Sequence, residues 1–330
     1  MIVEDRKRRS KGPNKKKKKN KKKWIILSLL LVVLIIAGIG VGLTMSMLGK
    51  VDKVEINEDN LDISQEVEEK YKDTNITNIL LLGIDSEDGE TGRSDSIMIL
   101  SVDNVHNKLK LSSIMRDSYV DIKGHGKDKI NHAYAFGGPE LSISTINTNF
   151  DLNIKDFATV NFDSLPKVVD QLGGIDLDIT SGDLKYINSY IGSLNAEKKT
   201  NAANITSTGP QHVNGIQALA YARIRYDGGD QERTHRHRII FEALFNTIKS
   251  TNKTQYPAIL NELLPLVKTS LNSGDILKLA TSSVSLSGGL VQDRFPRDDN
   301  GAGQMINGVY YQTFDKAKTV EQMHQFIFES

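Results

Sequence analysis

A stretch of 25 residues without a charged side chain, residues 24–48, sets the first limit on how this chain of 330 residues is organised. At ~1.5 Å per residue, a helix of this length extends roughly 37 Å, which is enough to cross a ~30 Å hydrocarbon core with some tilt. A cleaved signal peptide has a shorter apolar segment and a cleavage site of small residues. The stretch therefore predicts one transmembrane helix that precedes a folded body.

Charge is distributed unevenly on the two sides of this stretch. Residues 1–23 contain 13 basic and two acidic residues, a net charge of +11, whereas residues 24–330 contain 29 basic and 39 acidic residues, a net charge of −10. Basic flanks stay on the cytoplasmic side and are attracted to anionic lipid headgroups. We therefore expect a basic cytoplasmic tail and an extracytoplasmic body. Nucleic acid is not expected as a partner, because the body is acidic and would lie outside the cell.

The chain contains no cysteine, which excludes a disulfide scaffold, a thiol nucleophile and a cysteine zinc site. An extracytoplasmic body without disulfides is typical of a bacterium with a single membrane. Residues 49–74 are charged and weakly patterned, so they are expected to form a stalk or a peripheral element. Residues 75–330 are sufficient for one large α/β domain.

Apolar runs alternate with helical patterns beyond residue 74, as in an α/β fold. The polar segment 181–209 is expected to be a loop with at most one short helix. Short apolar runs predict strands at 79–84, 96–102, 109–115, 157–161 and 175–179. Helical spacing predicts helices at 140–149, 165–172, 214–222, 229–250, 257–269, 274–285 and 314–328.

Charged residues stand at the ends of the first three predicted strands. Asp85 follows the first strand, Asp95 precedes the second, and Arg116 follows the third. Open α/β sheets bind their ligands at strand ends. Guanidinium groups form paired hydrogen bonds with phosphate oxygens, and carboxylates bind hard divalent cations. These positions therefore predict a metal-assisted pyrophosphate site, the alternative being a set of solvated salt bridges.

A further cluster of arginines and aspartates lies in the segment YARIRYDGGDQERTHRHR, residues 221–238. Arg223 and Arg225 come at the end of one predicted helix. Asp230, Arg233 and Arg236 recur every three residues, which places them along one side of the start of the next helix. The free backbone N–H groups at that helix start would add to an anion-binding field.

Seven strings in the same order between residues 79 and 240 resemble the LytR-CpsA-Psr family, the cell-wall-polymer ligases of Gram-positive bacteria. They are LLLGID, GRSDSIMILSVD, SIMRDSYVDI, KINHAYAFGGPEL, VNFDSLPKVVDQLGGIDLDI, HVNGIQALAYARIRYD and the D-x-x-R-x-x-R run from Asp230. Two positions depart from the family pattern. His237 stands where glutamine is usual, and Met115 stands where proline is common.

The resemblance implies a fold and a reaction. The fold is a central mixed β-sheet flanked by helices, an α-β-α sandwich, with an apolar tunnel for a polyprenyl chain and the helix after Pro139 as one wall. The reaction transfers a glycopolymer (teichoic acid, capsule or a related wall glycan) from an undecaprenyl-pyrophosphate carrier to a peptidoglycan hydroxyl. A phosphodiester forms, and the lipid monophosphate leaves. A pyrophosphatase side activity is also expected.

The resemblance also assigns roles to matching positions. Asp85 and Asp95 would hold Mg²⁺, or Mn²⁺ in its place. On chemical grounds a sugar hydroxyl as acceptor benefits from a base, for which Asp95 is the first candidate and Asp230 the second. The expected catalytic residues are Asp95, Arg116, Arg223, Arg225 and Asp230. The side chains expected to bind the pyrophosphate are Arg93, Arg116, Arg223, Arg225, Arg233 and Arg236.

Two other classes of function are considered. A membrane-anchored binder of lipid pyrophosphate, with little turnover, would use the same arginines. A transcriptional regulator would need the body to meet DNA, which the predicted topology opposes. The residues do not identify the polymer that is transferred.

The predicted topology has a direct test. Protease added to intact protoplasts should digest the chain beyond Leu48, because residues 49–330 contain no second apolar stretch near ~20 residues. Immunoblotting against the tail and the body distinguishes the two sides. Protection of the body would contradict the expected orientation.

Overall fold

A mixed seven-stranded β-sheet forms the centre of the computed structural model, which describes residues 51–84, 92–161, 164–224, 229–255, 258, 261, 264–276, 278–279, 286 and 288–329. In spatial order its strands are β1 (Asp52–Lys53), β10 (Val267–Thr269), β7 (Asp156–Asn161), β2 (Ile76–Ile84), β3 (Ser94–Asp103), β4 (Lys108–Ile114) and β11 (Leu290–Phe295). The pairs β2–β3, β3–β4 and β7–β10 are antiparallel. The pairs β1–β10, β2–β7 and β4–β11 are parallel.

The other regular elements are helices and two-stranded hairpins or ribbons. The helices are α1 (Gln65–Tyr71), α2 (His132–Phe150), α3 (Ser164–Gln171), α4 (Ser181–Lys198), α5 (Gly215–Arg223), α6 (Gly229–Ser250) and α7 (Lys316–His324), with a π-helical turn at Gln325–Glu329. The small sheets are β5 (Tyr119–Ile122) with β6 (Gly126–Lys129), β8 (Ile175–Ile179) with β9 (Gly209–Val213), and β12 (Gly301–Ile306) with β13 (Val309–Phe314).

Helical elements cover both faces of the large sheet. Lys110 of β4 donates to the carbonyl of Ile327 in the C-terminal π turn (3.0 Å). Ser101 of β3 lies opposite Lys110 in the register, so the odd-numbered residues of β3 from Ile97 to Asp103 share that face. Ser96 points to the other face, where its hydroxyl lies 3.3 Å from Nδ1 of His237 on α6. The predicted mixed sheet flanked by helices is confirmed.

The strands predicted from apolar runs are confirmed as β2, β3, β4, β7 and β8. All ten residues of β3 and the last seven of β2 are buried. Such continuous apolar runs are typical of strands that are covered on both faces.

The prediction of a loop over 181–209 is wrong, because α4 occupies 18 residues of it. Thr180 and Asp183 form a capping box at its start, with each side chain bonded to the backbone N–H of the other. The buried residues Ile187, Ile191 and Leu194 have the spacing of one helix face. This face was overlooked because polar residues surround it.

The predictions for the C-terminal third are partly wrong. Val267–Thr269, the end of a predicted helix, forms β10 because it pairs with both β7 and β1. Phe314 ends a strand, and the helix begins at Lys316. The β12–β13 hairpin was missed although its turn, Asn307-Gly308, is a strong hairpin signal; both residues have a positive φ (51° and 78°).

Residues 51–74 pack against the body. Val54 N–H donates to the carbonyl of Thr269 (2.9 Å) beyond the edge strand β1. Leu61 is fully buried, and Tyr71 is 6% exposed. None of the helices in the described residues has the length and apolar character needed to cross a membrane; the predicted span, residues 24–48, lies outside the described residues.

One ion pair is completely enclosed between β3, β4 and the C-terminal turn. Lys110 Nζ lies 2.7 Å from Asp103 Oδ2, and both side chains are 0% exposed. Burial alone raises the pKa of Asp103, but hydrogen bonds from Lys110 and from the backbone and side chain of His106 outweigh it and hold the pKa below its ordinary 3.8. The pair thereby fixes the C-terminal turn on the sheet.

Replacing this lysine should destabilise the domain. Lys110→Met leaves the Asp103 carboxylate buried without its cation and should lower the free energy of unfolding by about 3–5 kcal/mol. Because the folded-state pKa of Asp103 is depressed, its contribution is present above about pH 4 and is lost as the pH falls through that pKa. Urea unfolding of the wild type and the variant, once above about pH 4 and once below the folded-state pKa of Asp103, measures the change. Lys108→Met, at a half-buried position on the same strand, is the control, and an equal loss there would contradict the assignment.

Candidate active site

A buried ion pair between Asp95 and Arg116 lies at one edge of the sheet. Ile97 of β3 lies opposite Ile114 of β4, so the start of one strand meets the end of the other. Arg116 Nη1 lies 2.7 Å from Asp95 Oδ1, and the Asp95 side chain is 1% exposed against 17% for Arg116. The low exposure strengthens the attraction and keeps the arginine oriented.

Asn131, immediately before α2, joins this pair. Its Nδ2 donates to Asp95 Oδ1 (2.9 Å), and Asn131 is 2% exposed. Its backbone N–H donates to the carbonyl of Arg116 (3.2 Å), and its carbonyl accepts from Ser94 N–H (3.2 Å). One residue therefore ties β3, the end of β4 and the start of α2 together.

Arg116 is also held from its other side. Its Nε lies 3.4 Å from Asp117 Oδ2, and Asp117 Oδ1 lies 2.6 Å from Lys129 Nζ. Two cations and two carboxylates thus alternate in a chain from Lys129 to Asp95. Since Arg116 stands between two carboxylates, its guanidinium is oriented before any ligand arrives.

The start of α2 is fixed by a third carboxylate, that of Asp128. Asp128 Oδ2 lies 2.7 Å from His132 Nδ1, and Asp128 Oδ1 accepts from the Tyr311 hydroxyl (3.2 Å). Burial alone raises the pKa of Asp128, but the hydrogen bonds from His132 and from the Lys129 backbone outweigh it, so the pKa lies below its ordinary value. The ionised carboxylate anchors the residue next to Asn131.

Helix α6 reaches the same edge and connects it with the end of α5. His237 contacts Ser96, the neighbour of Asp95. Arg236, which is 4% exposed, donates from Nε to Asp183 Oδ1 (2.8 Å) and from Nη1 to the carbonyl of Ile224 (3.5 Å). Ile224 follows Arg223, so these contacts connect the arginine-rich segment 221–238 with the strand that carries Asp95.

The structure also describes two further arginines of the predicted site, Arg93 and Arg223. Arg93 is half-buried, and its carbonyl accepts from Asp95 N–H (2.9 Å). Arg223 ends α5, and its Nη1 lies 3.7 Å from Glu197 Oε2 of α4. Helix α5 itself sits tightly on α3: a Cβ at Gly215 would lie 2.2 Å from the carbonyl oxygen of Pro166, which only glycine avoids.

The structure does not describe the side chains of four predicted site residues. Asp85 and Arg225 lie outside the described residues, while Asp230 and Arg233 lie within α6 as backbone positions. Their predicted roles stay predictions. Asp95 and Arg116 are in direct contact. Arg236 contacts Asp183 and the carbonyl of Ile224.

The oxygen atoms of Asp95 and Asn131 are of the kind that binds a hard divalent cation. The amide of Asn131, whose Nδ2 donates to Asp95, also has an oxygen, Oδ1, that is buried and accepts no hydrogen bond from the described residues. Mg²⁺ prefers oxygen ligands and keeps several waters or substrate oxygens, so one or two carboxylates suffice. The described ranges hold no group of three or more histidine or acidic side chains placed to bind a metal, and Asp85 lies outside those ranges.

Sequence reasoning missed Asn131, Lys129 and the contact of His237 with Ser96. Asn131 lies in the string KINHAYAFGG, which contributed to the resemblance without a role being assigned to any polar side chain. A polar residue at the start of a helix that follows a short strand is the signal that was available. For Lys129 and His237 no local pattern identifies the partner, because each partner lies on another element.

Comparisons with known proteins identify the family to which this chain is similar. The sequence model of the LytR_cpsA_psr family matches residues 43–327. The polyisoprenyl-teichoic acid–peptidoglycan teichoic acid transferase TagU of Oceanobacillus iheyensis is 32% identical over 259 residues, which are 76% of this chain and 75% of that protein.

Two solved structures share the fold. TagT bound to LIIa-WTA has a TM-score of 0.62 and 26% identity, covering 78% of this chain and 92% of that chain. TagT with bound octaprenyl pyrophosphate lipid has a TM-score of 0.57 and 25% identity, covering 78% and 91%.

The buried hydrogen bond from Asn131 should contribute more to stability than an exposed one of the same chemistry. Asn131→Ala removes a donor from the buried Asp95 carboxylate and should lower the free energy of unfolding by about 1–3 kcal/mol. The control is Asn60→Ala, since Asn60 Nδ2 also donates to a carboxylate, Glu140 Oε1 (2.7 Å), at the surface. That change should stay within about 0.5 kcal/mol. Equal effects in urea unfolding would contradict this account of the site.

Proposed function

The chain belongs to the LytR_cpsA_psr family, and from that membership we propose that it transfers a glycopolymer from an undecaprenyl-pyrophosphate carrier to a peptidoglycan hydroxyl. The observation that carries the proposal is the buried centre of Asp95, Arg116 and Asn131. Beside it, His237 of α6 contacts Ser96, and Arg236 of the same helix holds the end of α5. The name of TagU and the ligands of TagT support a donor with a polyprenyl pyrophosphate. Teichoic acid, capsule and related wall glycans are the candidate polymers.

The proposed step exchanges one bond to phosphorus for another. The acceptor hydroxyl oxygen forms a bond to the phosphorus that carries the glycopolymer. The bond from that phosphorus to the bridging oxygen of the pyrophosphate breaks, and the lipid monophosphate leaves with the electron pair. The proton of the acceptor hydroxyl passes to a carboxylate, for which Asp95 and Asp230 are the candidates. Water in place of the acceptor would give a pyrophosphatase side activity.

The arginines supply charge where negative charge develops on the phosphate oxygens. Transfer of this kind depends mainly on positioning and electrostatic stabilisation. Arg116 is suited to it because Asp95 and Asp117 fix its guanidinium from two sides. The proposed pyrophosphate ligands are Arg93, Arg116, Arg223, Arg225, Arg233 and Arg236.

We further propose that Asp85 and Asp95 hold Mg²⁺, or Mn²⁺. The carboxylate and the Asn131 amide oxygen support an oxygen-ligated cation beside Arg116. The bound ion would neutralise the pyrophosphate oxygens and polarise the phosphorus. Asn131 orients the Asp95 carboxylate through the hydrogen bond from its Nδ2.

A donor carried on a membrane lipid implies that the protein works at the membrane. We propose that residues 24–48 anchor the chain in the cell membrane, with the basic tail in the cytoplasm and the body outside. The polyprenyl chain would lie in an apolar tunnel between the sheet and its helices, with the part of α2 after Pro139 as one wall. Gly137 and Gly138 support this, because they break the helical geometry before that segment and set its direction.

A transfer assay tests the proposal. The full-length protein in detergent is mixed with a glycopolymer on octaprenyl pyrophosphate and with peptidoglycan, and both the linked product and the released lipid phosphate are measured. Wild type should form both, EDTA should stop the reaction, and Asp95→Asn should lower the rate by about 100-fold or more. Asp178→Asn, an exposed carboxylate on β8, should match wild type.

Other outcomes separate the remaining possibilities. Donor binding without product would identify a lipid-pyrophosphate binder with no turnover. Undiminished transfer by Asp95→Asn would remove this carboxylate from the centre. Full activity in EDTA would exclude the divalent cation.

A further inference from the structure

A polar cleft of about 490 Å³ lies between α6 and the C-terminal end of β11, and the proposed reaction leaves its residues without a role. Its volume is within the ~300–1,000 Å³ range of small-molecule sites. His235, Arg238 and Glu242 of α6 line one wall, and the opposite wall carries Asp293 and the residues that follow it.

The strand wall of the cleft adjoins the reaction centre. Arg294 Nη1 lies 3.4 Å from Met115 Sδ. Met115 N–H donates to the carbonyl of Phe295 (2.9 Å), which continues the β4–β11 ladder to the edge of the sheet. Arg116, which forms the ion pair with Asp95, directly follows Met115 in the sequence. The strand wall therefore contacts the residue next to that ion pair.

The helix wall of the cleft is also adjacent, along the chain, to a residue that contacts the strand of Asp95. Arg238 directly follows His237, whose Nδ1 lies 3.3 Å from the hydroxyl of Ser96, the neighbour of Asp95. Strand β11 is two strands away from β3. At ~4.8 Å per strand this is about 10 Å, so a single extended ligand reaches from the cleft to the centre.

The charges of the cleft balance one another. Arg297 donates from Nε and Nη2 to Asp293 Oδ2 (2.9 and 2.6 Å). Arg294 is paired with Asp298, and Gln292 Nε2 donates to Glu242 Oε2 (3.3 Å). The arginines Arg238, Arg294 and Arg297 are therefore equal in number to the acids Glu242, Asp293 and Asp298.

This balance selects a class of ligand. A surface without excess positive charge gives no long-range attraction to a polyanion such as a phosphate-rich polymer. Alternating guanidinium, carboxylate and amide groups instead offer donors and acceptors side by side, which matches the hydroxyl and N-acetyl groups of an uncharged sugar. Because the Arg297–Asp293 pair is already formed, little side-chain freedom is lost when a sugar binds.

We propose that this cleft is the acceptor subsite, which binds N-acetylated amino sugars of the peptidoglycan strand and presents one hydroxyl to the centre of Asp95 and Arg116. The inference rests on the proposed function. It assigns the acceptor to a region apart from the arginines that bind the donor. It also gives a role to Arg294, which the sequence alone would place at the surface; its side chain is 13% exposed.

The test separates acceptor binding from donor binding in the full-length protein. The double variant Asp293→Ala/Arg297→Ala removes one ion pair without leaving an unpaired charge. It should raise the KM for peptidoglycan by about tenfold while kcat and the Kd for octaprenyl pyrophosphate change by less than about twofold. The matched control is Glu68→Ala/Lys155→Ala. It removes an ion pair of similar exposure elsewhere, in which Lys155 Nζ lies 2.8 Å from Glu68 Oε1, and it should behave as wild type.

A second measurement uses defined probes. Chitotetraose should bind wild type, compete with peptidoglycan and bind the cleft variant about tenfold more weakly, whereas poly(glycerol phosphate) should not compete with chitotetraose. An unchanged acceptor KM in the cleft variant, or displacement of chitotetraose by the polyanion, would overturn the inference. If wild type shows no transfer at all, the proposed function fails, and chitotetraose binding alone then decides whether the cleft is a sugar site.

Discussion

The ion pair between Asp95 and Arg116 is the interaction on which the arrangement of this site depends. A carboxylate with 1% exposure is stable only when its charge is balanced and hydrogen-bonded, and Arg116 and Asn131 provide both. The pair is possible only in the observed register of β3 and β4. A shift by one residue would turn the side chains of β3 to the opposite face and move Asp95 away from Arg116 and Asn131. The electrostatics of the site and the pairing of the central strands therefore specify each other.

A single aspartate connects this centre with a helix that lies outside it. Asp183 uses Oδ2 to cap the start of α4 and Oδ1 to bind Arg236. Arg236 in turn holds the carbonyl of Ile224 at the end of α5. The orientation of α6 and the position of Arg223 are thus coupled to the first turn of α4, in a segment whose composition is mostly polar.

The sequence was sufficient for the parts of the fold that depend on local pattern. Continuous apolar runs identified β2, β3 and β4, and charged residues at their ends led to Asp95 and Arg116. Features that depend on distant partners were missed. Strand β10 has three residues and exists because β7 and β1 flank it, and β11 pairs with a strand some 180 residues earlier in the chain. The cleft beside the centre needs both β11 and α6, so neither segment alone predicts it.

The edge strand β1 has a consequence for where the protein can act. Asp52 already pairs with Lys268 in the sheet. If the chain leaves the membrane at residue 48, as proposed, three residues lie between it and Asp52, and the four steps from Cα to Cα extend at most about 14 Å. Such a short connection would keep the body against the bilayer, and lipid carriers would then reach it by lateral diffusion in two dimensions. An acceptor fixed in the wall has no such freedom. Only the layer of the wall that lies against the membrane would then be within reach of the body.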